Sequence, residues 1–251
     1  MMHLSPVPSN EDLATHYQQA SILHGIGSSD IFLAAINDPV RLDYAQQIIQ
    51  WICDKAPTTL EFLQSGFCID VGCNCGWFMN AARERGIRSI GIELDDVLCA
   101  YNKEYIGCEM FCGMFEDTPP QFEQSASLIV LNDTLEHHAS PLGSLETCYR
   151  MTKPGGIVFV NVPNALFWKA QHDIESWEWF ESDHLMYFNE SSIRKAFEIC
   201  GFKDIVTDTH DWGNNQIMLS NAGIDPTPQM FEYIYNHRMR EKLWCAGRRA
   251  E

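Results

Sequence analysis

Asp70 and Glu93 each close a short apolar run, and the turn Gly72-Cys73-Asn74-Cys75-Gly76 follows the first of them. This turn contains no Lys or Arg that could meet a phosphate, and a carboxylate stands just ahead of its first glycine, so it suits a cationic ligand. Further along, Asn132-Asp133-Thr134-Leu135-Glu136-His137-His138 follows another apolar run, and His184 stands in an aromatic-rich stretch. A histidine of ordinary pKa can take a proton from a hydroxyl near neutral pH. The residue types therefore suggest a cation-binding tip beside one or two candidate proton acceptors, His137 and His184.

The first group needs a strand, a tight turn, a helix and a second strand. Phe67, Cys68 and Ile69 lead into Asp70, Trp77, Phe78, Ala81 and Ala82 lie at helical spacing, and Gly86 stands where a left-handed cap is wanted. Ser89 to Ile92 then lead into Glu93, which completes a βαβ unit with an acid at the tip of each strand. A dinucleotide fingerprint wants glycines at its first, third and sixth places, and here those hold Gly72, Asn74 and Trp77. Asn tolerates a left-handed backbone, but an indole in the last place argues against NAD.

Asp70, Gly72, Asn74 and Gly76 occupy the places of the acid-x-Gly-x-Gly-x-Gly motif, and here the sequence resembles the class I S-adenosylmethionine-dependent methyltransferases. Two later strings, LIVLNDTLEHHASPL and YRMTKPGGIVFVNVPN, are similar to motifs of the small-molecule branch, which includes the ubiquinone-type O-methyltransferases and the sugar methyltransferases. The resemblance covers roughly residues 65 to 210. It implies an α/β fold, a Rossmann-like doubly wound sheet of seven strands, mostly parallel with an antiparallel last strand and flanked by helices. It also implies S-adenosyl-L-methionine as cofactor, held by Asp70, Gly72, Cys73, Asn74, Gly76, Glu93, Leu94, Met114, Phe115, Asn132 and Asp133. Asp70 would meet the ammonium and Glu93 the ribose hydroxyls. Relatives often carry an Asp just past the third strand for the adenine amino group, and this chain has Gly113-Met114-Phe115-Glu116 there. Met114 and Phe115 are expected to pack on the adenine faces, leaving the polar contact to backbone or Glu116.

The reaction expected is methyl transfer to a small molecule, most simply to a hydroxyl, with His137 or His184 removing the proton. Asp133 with His137 holding a divalent metal is a secondary alternative, and no further ligand cluster or zinc spacing supports a metal site. An RNA or protein methyltransferase and an inactive cofactor-binding subunit are the readings from other classes.

The remaining elements follow from periodicity and breakers. Residues 11–60 would give a helical cover, with helices from Asp12 to about His24 and from Pro39 to Lys55, after a mobile start from Met1 to Asn10. Within a core of 65–220, strands are expected at Glu109–Cys112, Ser127–Leu131, Ile157–Val162 and Ile205–Thr209, with Gln216–Leu219 as the antiparallel seventh. Helices are expected from Asp95 to Tyr105, from Pro141 to Met151 and from Ser191 to Cys200. An aromatic insert, residues 164–190, would offer Phe167, Trp168, Trp177 and Tyr187 to an acceptor pocket. Residues 226–251 would be a C-terminal helix whose basic end is solvated or docks on the chain itself, and the whole chain a single domain.

Charge bounds the partners. The formal net charge of −17 over 251 residues opposes a phosphate backbone or an anionic membrane surface, so no nucleic acid is expected. No stretch has the length and apolarity of a membrane span. The ten cysteines meet no zinc spacing and mostly sit in apolar runs, which suggests reduced thiols and a cytoplasmic setting. A small-molecule substrate is the expected partner, and a homodimer is compatible with the sequence.

Overall fold

The computed structural model describes residues 2–3, 7–23, 25–211, 215–223 and 226–250. Phe67–Val71 (β1), Arg88–Glu93 (β2), Glu109–Cys112 (β3), Ala126–Asn132 (β4), Thr152–Pro163 (β5), Lys203–His210 (β6) and Lys242–Arg248 (β7) form one sheet. Their spatial order is β3-β2-β1-β4-β5-β7-β6. β7 is antiparallel to both β5 and β6, and the other neighbours run parallel. The expected seven-stranded doubly wound sheet is thus present. Its order turns around between β1 and β4, where open α/β sheets leave a crevice beyond their carboxyl ends.

Strands covered on both faces must be apolar on both, and β4 is buried from Ala126 to Leu131. On one face Ile69, Val71, Ile129 and Leu131 pack against Leu145 and Cys148 of the helix Pro141–Met151 and Ile193 and Phe197 of the helix Glu190–Ile199. On the other, Cys68, Leu128 and Val130 pack against Ile48 and Ile52 of Pro39–Lys55 and Phe78 and Ala81 of Trp77–Glu84. Truncating one of these large apolar side chains to Ala is expected to cost about 2–5 kcal/mol. Such a core holds the strand tips in fixed register: Asp70 lies between Gly91 of β2 and Val130 of β4.

Four expectations are corrected. The end of the chain is a strand, because Leu243, Trp244, Cys245 and Ala246 are buried between β5 and β6, and the C-terminal helix covers only Pro228–Asn236. Its basic residues are spent on internal partners: Arg238 pairs with Glu190 and Asp208, Arg248 with Asp204, and Arg249 donates to the carbonyls of Tyr149 and Arg150. Gln216–Leu219 lies inside the helix Asn215–Asn221, since β7 takes the antiparallel place expected of it. Cys99 and Cys112 form a disulfide between the helix Asp96–Tyr101 and the end of β3, while eight cysteines are free thiols. The first helical segment is two pieces, Asn10–Tyr17 and Ala20–Leu23, and His24 lies outside the described residues. At the start of the chain, Met2 and His3 pair with Tyr187 and Met186 of the insert. No described helix is long and apolar enough to cross a membrane.

Candidate functional site

A cavity of about 560 Å³ opens at the carboxyl ends of β1, β2 and β4, under the N-terminal helices. At one end the turn after β1 folds back on β2, with the N–H groups of Gly72 and Cys73 donating to the Ile92 carbonyl at 2.9 and 3.1 Å. Gly72 has a φ of +67°, and a Cβ there would lie 2.8 Å from Thr134 Cγ2, so both backbone and space require glycine. Gly76, at +72°, starts the helix Trp77–Glu84 without lining the cavity, and a Cβ on it would strike Asn102 and Ile106.

Glu93 is held by three backbone donors: Asn74 N–H to Oε2 at 2.9 Å, and Leu94 and Asp95 N–H to Oε1 at 2.7 and 3.2 Å. Burial still pushes its carboxyl above the usual range. Asp70 is 3% exposed, and no hydrogen bond from the described residues reaches its carboxyl. Burial, and then the nearby Glu93, pushes it to about 8. A bare buried carboxyl beside a fixed one fits a ligand that brings an ammonium and hydroxyl donors. Leu94, Cys73 and Asn74 complete this wall, with Met114 and Phe115 beyond them. Among the described residues Arg41, on the helix Pro39–Lys55, is the one Lys or Arg on the wall. Sequence reasoning missed it, since nothing in its helical context marks it.

Asn132 and Asp133 line the middle. Asn161 Nδ2 donates to Asn132 Oδ1 at 3.0 Å, and Lys242 Nζ, 1% exposed, donates to Asp133 Oδ1 at 2.7 Å. Asp133 is therefore engaged by a buried ammonium, and the alternative that gave it a metal loses its carboxylate. Glu116, expected near adenine, is also on the wall, where His138 Nδ1, 3.6 Å from its Oε1, holds its carboxyl below the usual range.

Both candidate histidines, His137 after β4 and His184 in the insert, also line the cavity, with ring centroids 4.7 Å apart. Burial, and then His184, lowers His137 to about 4, and burial lowers His184 as well. Both rings are neutral at physiological pH and so have a nitrogen free to accept a proton. Tyr17, Trp179, Glu181 and Asp183 line the cavity as well and went unassigned in the sequence. Trp179 is fixed by its indole N–H on Glu241 Oε1 at 2.8 Å and by Lys242 Nζ, 3.2 Å from its ring centroid. Glu136 is fully buried, with neither carboxyl oxygen hydrogen-bonded, and burial raises its carboxyl well above the usual range. Glu136, His137 and His184 bring one ligand-type atom each to within 4.8 Å of one another, with Glu136 and His184 buried and His137 half-buried.

The four aromatic residues expected to line the acceptor pocket do not line the cavity. Phe167, Trp168, Trp177 and Tyr187 pack with one another, with Leu219 and with Ile234, as large rings do when other rings can bury them. The aromatic residue that the insert does bring to the cavity is Trp179.

Residues 44–207 match the family model described as a methyltransferase domain. Over 108 residues the chain is 32% identical to a ubiquinone biosynthesis O-methyltransferase of Pseudomonas fluorescens (strain Pf0-1), a match that covers 38% of this chain and 44% of that protein. The chain thus spans under half the length of that curated relative. Among solved structures, a SAM-dependent methyltransferase from Archaeoglobus fulgidus superposes with a TM-score of 0.54 at 12% identity, covering 81% of this chain and 94% of that one. The phosphoethanolamine N-methyltransferase 2 of Haemonchus contortus, in complex with S-adenosyl-L-methionine, gives 0.55 at 14% identity, covering 82% and 52%. At these identities the structural likenesses speak for the fold.

Proposed function

The chain belongs to the class I S-adenosylmethionine-dependent methyltransferases, and on that premise we propose that it methylates a hydroxyl group of a small molecule, with His137 accepting the proton. When bound, the cofactor supplies a methyl group on a positively charged sulfur. The rest is work for this chain's own residues. Asp70 meets the ammonium, Arg41 the carboxylate and Glu93 the ribose hydroxyls, while Met114 and Phe115 cover the adenine faces. Each is a charge or hydrogen-bond match to the cavity wall described above.

The single observation that carries the reading is one cavity lined both by Asp70 and Glu93 and by His137 and His184. A donor held at the first pair and an acceptor at the second are thereby aligned, which supplies much of the rate of a direct displacement. The acceptor hydroxyl gives its proton to an imidazole nitrogen, and its oxygen lone pair is freed for attack on the methyl carbon. His137 precedes His184 in this role because it follows β4 directly at the carboxyl edge.

Glu181 and Asp183 make the acceptor wall acidic, which favours a neutral or cationic acceptor over a phosphorylated one. An amine is therefore the second reading of the acceptor, and the net charge of −17 disfavours RNA. The test is native mass spectrometry of the purified chain for bound S-adenosylmethionine or its demethylated product, followed by methylation assays on panels of phenols, sugars and amines. Absence of any cofactor binding overturns the proposal, and turnover only on amines replaces its acceptor.

A further inference from the structure

The helix Asn10–Tyr17 begins with a capping box between Ser9 and Asp12 and presents Leu13 and Tyr17, one turn apart, to the cavity. The Tyr17 hydroxyl oxygen lies 2.7 Å from His137 Nδ1 and 3.4 Å from Asp183 Oδ2. The main-chain carbonyl of Asp183 lies 3.0 Å from the same Nδ1. A carbonyl oxygen only accepts, so this contact places the hydrogen on Nδ1. The tyrosine oxygen then accepts from Nδ1 as well and turns its own O–H toward the Asp183 carboxylate. Were Tyr17 instead the donor, Nδ1 would face the Asp183 carbonyl lone pair to lone pair, which is costly where water is excluded.

We propose that Tyr17 is a positioning residue for the proton acceptor: together with Asp183 it holds neutral His137 as its Nδ1–H tautomer and leaves Nε2 as the basic nitrogen. This rests on the reading of His137 as the base. Nε2 has no hydrogen-bond partner among the described residues, so it is the nitrogen with a lone pair to offer. When it takes a proton, the positive ring keeps its Nδ1–H on Tyr17 and Asp183, whose carboxylate lies 3.7 Å away and opposes the cost of burial. His184 adds no negative charge and opposes protonation, whereas the Asp183 carboxylate favours it, so Asp183 is the group that stabilises the charged ring. His138 faces Glu116 and Ser144. The base is then complete only when the helix carrying Tyr17 is docked, which links proton removal to closure over the cavity.

The tautomer can be read without knowing the acceptor. Two-bond 1H–15N NMR spectra of the full chain, labelled with 15N-histidine, report which ring nitrogen is protonated, and a His137→Gln variant assigns the signal. His137 is expected as the Nδ1–H form. Asp183→Ala should free Tyr17 to donate to Nδ1 and shift the tautomer ratio toward Nε2–H by about 10-fold, and adding Tyr17→Phe, which removes that donor and leaves only the main-chain carbonyl at Nδ1, should reverse the shift. A tyrosine that merely packs would leave the ratio alone. An Nε2–H tautomer in the wild type, or an unchanged ratio in both variants, overturns the proposal. If the double variant fails to fold, Asp183→Ala, at a half-buried carboxylate, decides. Unimpaired turnover in His137→Ala is a separate result that refutes the base assignment rather than the tautomer.

Discussion

The two ends of the cavity are built differently. At the cofactor end, Asp70, the Gly72–Gly76 turn and Glu93 come from one βαβ unit, and backbone N–H groups from the turn and the strand tip fix Glu93 before any ligand arrives. At the acceptor end, Tyr17, His137 and Asp183 are separated by long stretches of chain, with Tyr17 and His137 120 residues apart, and side chains do the holding. A local, backbone-built site needs little from the rest of the fold; an assembled one fails when any distant contributor is removed. The largest expected effect lies at the assembled end. His137→Ala should lower turnover by about 10²- to 10⁴-fold while the cofactor dissociation constant, measured by calorimetry, stays within about twofold. Loss of cofactor binding in that variant would erase the distinction between the two ends.

Next comes the ion pair that stiffens the acceptor side. Lys242 is buried against Asp133 and lies over Trp179, so Lys242→Met leaves an unpaired carboxylate and a ring without its cation. The expected cost is about 3–5 kcal/mol, and adding Asp133→Asn should recover part of it, because removing both partners strands no charge. Thermal melts of the single and double variants check this; equal melting temperatures for wild type and Lys242→Met would mean that the pair is not structural. At the other end, Glu93→Ala should weaken S-adenosylmethionine binding by about 1.5–3 kcal/mol, the range for hydrogen bonds to a charged group. Unchanged affinity by calorimetry would remove Glu93 from the site.

The same contrast explains what the sequence let one read. The βαβ unit, its acids and its glycine turn are contiguous, and the run of buried apolar residues in Ala126–Asn132 signals a covered parallel strand, so the fold and the cofactor end were legible. Tyr17 carried no local signal, and Trp179 and Asp183 only that of the aromatic insert around them, because their role exists only once an N-terminal helix and the insert meet over β4. Lys242–Arg248 read as the end of a helix, solvated or docked on the chain itself, because the acids that pair with it, Asp133 and Asp204, lie far away in sequence. Phe167, Trp168, Trp177 and Tyr187 showed the converse error: aromatic density marks burial as readily as it marks a pocket, and here the rings bury one another. The Cys99–Cys112 pair escaped notice for the same reason as Tyr17, since only the fold brings that helix beside that strand end.

The smallest effect is the one that most sharply separates a ligand-shaped carboxyl from a structural one. Burial and Glu93 raise Asp70 to about 8, so at pH 7 most of the free protein carries Asp70 as the neutral acid. An ammonium-bearing ligand prefers the carboxylate, so binding must lower the Asp70 pKa and release a proton. Affinity should therefore rise with pH, by at most about tenfold per unit, and level off once pH passes the free-protein value. An α-amino group with an ordinary pKa of about 7.7–8.0 loses its own charge in the same region, so the rise should turn over there rather than continue. Calorimetry at pH 7 in two buffers of different ionisation enthalpy measures the proton directly: net release approaching one proton is expected for the wild type and none for Asp70→Asn. No buffer dependence in the wild type would mean that Asp70 is already ionised in the free protein, or that the ligand's ammonium binds elsewhere. The site would then owe its fit to Glu93 and Arg41 alone.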